Sequence, residues 1–286
     1  MAAHLMIDRK YRPKNGVVKW ITLIVLSVFL LLMLMPFIMV AMNSVKTEAE
    51  FARYGPLSLP HGLNFTSLKD FWVRVNFTQP LKNSTIISLS VAVLAVLLSL
   101  LNAFALGLGK VRGRIWILVF FLMANFLPQE ALAYPLYYFA KFFHLYDKTL
   151  SVILVFMVIQ SAFGTYLLSS VFSTFPREII EAALMDGCSK LKLLVYLVAP
   201  LSIPTLSVLF VFFFIWTWNE FFLPLILLPS NASQTVPLAL AINQGQYGMN
   251  ITAQSASGLL GILPCIIFFL IFQRTLTRGI TAGGIK

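Results

Sequence analysis

Charge is scarce in this sequence. Only 11% of its 286 residues are Asp, Glu, Lys or Arg, while 59% are hydrophobic. Soluble domains carry about a quarter charged residues. A chain this apolar has no water-soluble way to cover its surface, so lipid is its natural solvent. Cysteine is nearly missing too: Cys188 and Cys265 allow at most one pair, which excludes a disulfide framework. Histidine occurs only at His4, His61 and His144, too scattered for a metal-ligand set. Acid is scarcer than base, which leaves a net charge of +11. Such an excess can mark a nucleic-acid binder. Here the basic residues lie between apolar runs without interleaved aromatics, so a membrane-topology signal fits better and no nucleic-acid partner is expected. The phosphate-cradling Gly-x-x-x-x-Gly-Lys-[Ser/Thr] is absent, as are His-Glu-x-x-His and Gly-x-Ser-x-Gly. The chain is therefore expected to bind no cofactor and to be no enzyme.

Long apolar runs are what the sequence has. A helix needs about 20 apolar residues to cross the hydrocarbon core. Six runs qualify: Val17–Met42, Ser84–Gly109, Ile115–Ala140, Thr149–Phe172, Leu193–Leu228 and Ile251–Phe272. Backbone groups in lipid must be satisfied within the segment, so the runs are predicted to be helices. The fold class is all-α, a polytopic membrane protein with six transmembrane helices. Residues 1–16 precede them, 17–274 form the membrane domain, and 275–286 form a tail. The first run is too long for a signal peptide and is read as retained. Placing the N-terminus inside puts 14 of the 21 Lys and Arg on the inner side, including Arg9, Lys10, Arg12, Lys14, Arg112, Arg114, Lys190 and Lys192. Seven fall outside, and the 229–250 connection has none. Both termini are thus expected in the cytoplasm. Five Asn-x-Ser/Thr sequons start at Asn64, Asn76, Asn83, Asn231 and Asn250, all on the predicted outer side. They fit chance in polar connections as well as glycan acceptors.

The inner connection after the fourth run is the most informative. It reads Thr174-Phe-Pro-Arg-Glu-Ile-Ile-Glu-Ala-Ala-Leu-Met-Asp-Gly187. Pro176 suits a first helical turn, Glu178 and Glu181 suit the positive helix end, and Gly187 suits a helix stop. The predicted helix has about 11 residues, too few for stability alone in water, so it must dock. Ile180, Ala183, Leu184 and Gly187 share one stripe, and Ala182 and Ala183 keep the helix slim. Periodicity leaves two readings open. The helix could enter a partner's groove, or it could lie on the membrane or on its own bundle.

Glu181-Ala182-Ala183, Asp186-Gly187, nine further residues and Leu197-x-Ala199-Pro200 resemble the EAA loop of ABC importer permeases. Leu197 and Ala199 depart from the family's Ile and Leu, apolar for apolar. Trp218-Asn219-Glu220-Phe221 with Pro224, and the ending Arg278-Gly-Ile-Thr281-Ala282-Gly283-Gly284-Ile-Lys286, are similar to the maltose-type carbohydrate (CUT1) group. The resemblance implies the type I importer permease fold in a bacterial cytoplasmic (inner) membrane. It implies that Glu181, Ala182, Ala183, Asp186 and Gly187, within an EAA loop at about 174–200, form a coupling helix. It implies that Thr281, Ala282, Gly283 and Gly284 reach an ATPase dimer, which holds ATP and Mg. The remaining implied partners are a second homologous permease subunit, an extracytoplasmic sugar-binding protein and a sugar. The uncharged 229–254 stretch, with Asn243, Gln244 and Tyr247, resembles the outward loop that meets the binding protein. An ordinary polar connection is the plainer reading.

Ionisable groups inside a membrane default to functional hypotheses. Glu130 and Glu220 are the two embedded carboxylates. Sugar recognition needs aromatic faces and groups that bond hydroxyls. Asn125, Gln129, Glu130, Trp216, Trp218, Asn219 and Glu220 supply both and are the candidates for the substrate path. Each could equally serve helix packing. Two other classes remain. An intramembrane enzyme lacks a visible catalytic set. A channel or ATP-independent secondary transporter would fit inverted repeats and coupling charges, of which no obvious sign is found.

Overall fold

The computed structural model describes residues 16–109, 111–247 and 250–284, with the side chains of Arg177, 243–247 and 275–284 left out of the description. Among the described residues it is helical without strands. The helices are α1 (Gly16–Ser44), α2 (Glu48–Tyr54), α3 (Thr66–Arg74), α4 (Thr78–Ala103), α5 (Arg114–Ala124), α6 (Gln129–Phe142), α7 (Thr149–Phe172), α8 (Arg177–Met185), α9 (Lys190–Leu193), α10 (Ala199–Trp218), α11 (Phe222–Leu227), α12 (Val236–Tyr247) and α13 (Ile251–Gly284). Phe104–Leu108 extends α4 as a π-helical turn, and Leu194–Val198 joins α9 to α10 the same way.

Among the described residues, five helical stretches are long and apolar enough to span: Gly16–Ser44, Thr78–Leu108, Thr149–Phe172, Lys190–Trp218 and Ile251–Arg274. The expected third span is not one helix. It is the pair α5 and α6, bent by 94°. Pro128, which cannot continue an upstream helix, sits at the N-cap of α6 with φ −59° and ψ 133°. The expected fifth span likewise ends at Trp218, and α11 restarts after a short break. Residues 229–250 are not a loop throughout, since α12 occupies much of the stretch.

The chain divides into two compact units, residues 1–69 with 249–259, and residues 70–248 with 260–286. In the first, α1 is exposed along its apolar window, as a helix bathed in lipid or covered by another chain must be. Lys46, just past its end, is fully buried. Its ammonium donates to Asn43 Oδ1 (2.9 Å), Gly55 O (3.1 Å) and Ser58 Oγ (3.1 Å), which uses all three donors. Thr47 caps α2 by accepting from Glu50 N–H, and Asn64 accepts from Thr66 N–H at the head of α3.

In the second unit α4 and α7 lie side by side, and α10 packs on α4. Ser88, Ala92, Ala95, Ser99 and Ala103 form a buried small-residue face on α4. On α7, a Cβ at Gly164 would lie 2.2 Å from Ser99 Oγ. Helix association in lipid depends on this kind of close backbone approach. Ser99 Oγ also donates to Ala95 O (2.6 Å) and Ser161 O (3.2 Å). Phe156, Leu168, Leu209, Phe213, Leu223 and Leu227 fill the core around this pair.

Candidate functional site

Helix α8 follows α7 through Ser173–Pro176 and has nine residues. Pro176 stands at its N-cap, one place ahead of the expected first turn. Its end is a Schellman cap. Cys188 N–H donates to Ala183 O and Gly187 N–H to Leu184 O, both at 3.0 Å, with Gly187 at φ +77°. The expected helix stop is therefore present at Gly187. The expected stripe divides. Ile180 and Ala183 pack, with Cys188, against the core, whereas Leu184 is 48% and Met185 87% exposed. Glu178, Ile179, Glu181, Ala182, Asp186 and Gly187 are exposed as well. One side of α8 is thus seated on its own bundle, and the other presents acidic and apolar side chains around two slim alanine positions.

After α8, Ser189 accepts from Lys192 N–H and starts α9. In the π-turn that follows, Ala199 N–H reaches five residues back to Leu194 O. Ala199 begins α10 directly after it, and Pro200, which has no donor, sits in its first turn.

A second constellation forms where two helices are broken. The α5–α6 break contains Asn125, Phe126, Leu127 and Pro128, and the α10–α11 break contains Asn219, Glu220 and Phe221. Gln129 Nε2 donates to Glu220 Oε1 at 2.9 Å and joins the two breaks. Glu130, its neighbour, is exposed, and it is Gln129 that bonds the Glu220 carboxylate. Asn125 and Asn219 are exposed, and their amides bond Phe121 O and Ile215 O, one turn back in each helix. Trp216 is 42% exposed and stacks on Phe212. Trp218 corrects the sequence reading. It is 3% exposed, stacks on Phe214, and donates from Nε1 to Gly261 O (3.3 Å). It is a packing residue without an open face for a sugar. Broken backbone at membrane depth is tolerated only against protein or a water-filled cavity. Phe126 at 79% and Leu127 at 53% exposure lack such cover within this chain.

A third feature was invisible in the sequence. Asp147, at φ +59°, accepts at Oδ1 from Ser230 N–H (3.2 Å), Ser230 Oγ (3.0 Å) and Ser233 Oγ. Burial pushes its carboxyl up, but the Ser233 and Ser230 donors outweigh this and hold it below the usual value. Asn83 donates to Ala232 O and Gln234 O, both at 2.9 Å, and Ser84 Oγ accepts from Val236 N–H. The start of the uncharged stretch is therefore clamped, and Val236, Leu238 and Ala239 are buried at the head of α12. Asn243, Gln244 and Tyr247 lie in α12, with side chains outside the description.

The remaining site expectation concerns Thr281, Ala282, Gly283 and Gly284. Their backbone continues α13 as helix, not as an irregular tail, and their side chains lie outside the described residues.

Residues 99–282, which include α8 and both breaks, match the family described as binding-protein-dependent transport system inner membrane component. The chain belongs to this family. It is a permease subunit of an ABC importer and a multi-pass inner-membrane protein. Its part in the importer is transport, with no ATPase site of its own. It is 30% identical over 258 residues to the probable starch degradation products transport system permease protein AmyC of Thermoanaerobacterium thermosulfurigenes, covering 90% of this chain and 93% of that one. It is 30% identical over 264 residues to the sulfoquinovosyl glycerol transport system permease protein SmoH of Agrobacterium fabrum, covering 91% of each. The permease also superposes, with a TM-score of 0.79 and 20% identity, on a crystal structure of a bacterial ABC transporter involved in the import of the acidic polysaccharide alginate. That match covers 92% of this chain and 98% of the other, and it shows the type I importer permease fold.

Proposed function

We propose that this permease moves a saccharide handed over by a binding protein, and that ATP hydrolysis on a separate subunit drives it through α8. The observation that carries the coupling role is the split surface of α8. Its Ile180 and Ala183 side is seated on the bundle, while Ala182, Leu184, Met185 and the acidic residues face outward. A helix too short to stand alone, fixed on one side and open on the other, can carry a push from a docked ATPase into α7 and α10. The EAA spacing supports the same role for Glu181, Ala182, Ala183, Asp186 and Gly187.

The saccharide cargo rests on relatives named for starch products and sulfoquinovosyl glycerol. The path is formed with a second, homologous permease half, which also covers Phe126 and Leu127. Asn125, Gln129, Glu130, Trp216, Asn219 and Glu220 face it; Trp218 holds α10 in place behind it. Both termini are cytoplasmic, the end of α13 approaches the ATPase dimer, and the 229–250 region faces the binding protein.

The test is ATP-driven uptake by the reconstituted importer, with cysteine crosslinking between Ala182→Cys and the ATPase subunit. Crosslinks that form and change yield with ATP are expected. Uptake that needs no ATP would falsify the reading and leave an ATP-independent transporter.

A further inference from the structure

The exposed face of α6 carries chemistry that the coupling role does not use. Glu130, Tyr134 and Tyr138 follow one another at four-residue steps, so they rise along one row of the helix, with about 5–6 Å between successive Cβ atoms. All three are exposed, Tyr134 at 69% and Tyr138 at 55%. The two rings lie 4.6 Å apart, and Tyr134 OH donates to Tyr138 OH at 3.0 Å. Tyr137 buttresses Tyr138 edge-on at 5.6 Å. The row is therefore braced. Its lower end adjoins Gln129, whose amide holds the Glu220 carboxylate.

Tyrosine rings in a membrane-interface belt keep their hydroxyls in water, whereas these two turn theirs to each other along the row. They suit a saccharide, which offers C–H faces to rings and hydroxyls to a carboxylate. Electrostatics narrows the class. Glu130 and Glu220 put two acidic side chains at the foot of the row. The one cation of α6, Lys141, has its ammonium 5.1 Å over the Tyr137 ring and 5.0 Å over Tyr146. The one cation of α5, Arg114, donates to Gly107 O at the far end of that helix. Helices α10 and α11 contain no Lys or Arg. A uronate or sulfonate moving along this row would meet fixed negative charge with no free cation on these helices to offset it.

We infer that Glu130, Tyr134 and Tyr138 form a saccharide-contacting strip on this subunit, and that the strip admits neutral oligosaccharides and disfavours acidic ones. The inference rests on the proposed saccharide cargo and adds which face touches it and which charge class passes.

The test uses the complete importer with its binding protein in proteoliposomes. The probes are maltotriose, xylotriose, arabinotriose and diacetylchitobiose as neutral sugars, and trigalacturonate as the acidic one. ATP-dependent import of at least one neutral probe, at ten times the trigalacturonate rate or better, is expected. Tyr134→Ala and Tyr138→Ala are then expected to lower that import about tenfold, with Tyr134→Phe within about threefold of wild type because its ring face remains. Co-elution of each variant with the ATPase subunit on size exclusion shows that it still folds and assembles. An alanine variant that co-elutes and imports normally overturns the strip, and so does a phenylalanine variant as damaged as the alanine one. Preferred import of trigalacturonate, or import of none of the neutral probes, overturns the charge class. In each of those cases ATP-coupled transport itself can stand. Loss of ATP dependence in the wild-type importer is the distinct result that removes the underlying reading.

Discussion

Gly187 offers the sharpest perturbation, because backbone conformation and available space make opposite demands there. Its φ is +77°, and a Cβ built on it would meet nothing within 4 Å. Within this chain a substitution is therefore strained but not crowded. An L-residue in the left-handed region gives up about 1–2 kcal/mol, with Asn the mildest because its short side chain bonds locally. That range corresponds to a factor of about 5–30 in the population of the closed cap. The cap has little reserve, since α8 has nine residues and only the Asp186 N–H bond to Ala182 O joins the two 3.0 Å bonds from Gly187 and Cys188 at its end. Gly187→Ala should lower ATP-driven uptake about 5–30-fold, Gly187→Val more, and Gly187→Asn less than Ala. Uptake in proteoliposomes, paired with recovery of the ATPase subunit in a pull-down, measures both coupling and docking. If Asn is worse than Ala, size against the partner decides and the conformational argument fails. If all three import normally, α8 is not the coupling element.

Gly164→Ala should destabilise the bundle by about 1–3 kcal/mol through overpacking, because its Cβ falls 2.2 Å from Ser99 Oγ. Thermal unfolding in detergent should show this, and Ser99→Gly should restore much of the loss. Lys46→Met leaves Asn43 Oδ1 and Ser58 Oγ without the ammonium donor, and Gly55 O with only its bond from Ser58 Oγ. It should weaken the 45–64 segment by about 2–4 kcal/mol, read as faster limited proteolysis there. Asp147 has a lowered folded-state pKa. Its contribution is therefore present above the unfolded carboxyl value, about 3.9, and is lost as pH falls through the lower folded value. Asp147→Asn should flatten the dependence of melting temperature on pH below about 4. Equal acid sensitivity in the variant would assign that loss to other groups.

What the sequence reveals depends on whether a property is local. The span Thr149–Phe172 coincides with α7, and the stop at Gly187 was legible, because hydrophobic length and a left-handed glycine are properties of neighbours in the chain. The bend of the third span has a signal in Pro128, but a proline by itself does not distinguish a kinked helix from a 94° turn between separate helices. Helix α12 has no sequence signal of its own, because residues 236–242 form an unbroken apolar run too short to span a membrane and residues 243–246 are polar or glycine, so no amphipathic stripe stands out. Pairings across distance were not legible. Gln129 meets Glu220 over 91 positions, and Asp147 meets Ser230 over 83. Trp218 misled for a related reason. Adjacent residues at a helix end point in different directions, so Trp218 turns into the core while Asn219 is exposed.

The π-turn at Leu194–Val198 holds one residue more than an α-helix would need there. The turn absorbs that surplus, because a residue and the fifth one on share a face across it, as a residue and the fourth do in an α-helix. Deleting one residue inside it would restore ordinary helix geometry and leave α9, with α8 ahead of it, near its present azimuth. Deleting one residue from the regular first turn of α10 instead would swing both by about 100° around the α10 axis, and the outward face carrying Leu184 and Met185 would point a quarter turn or more away. The two single-residue deletions thus separate the aim of the coupling surface from its composition.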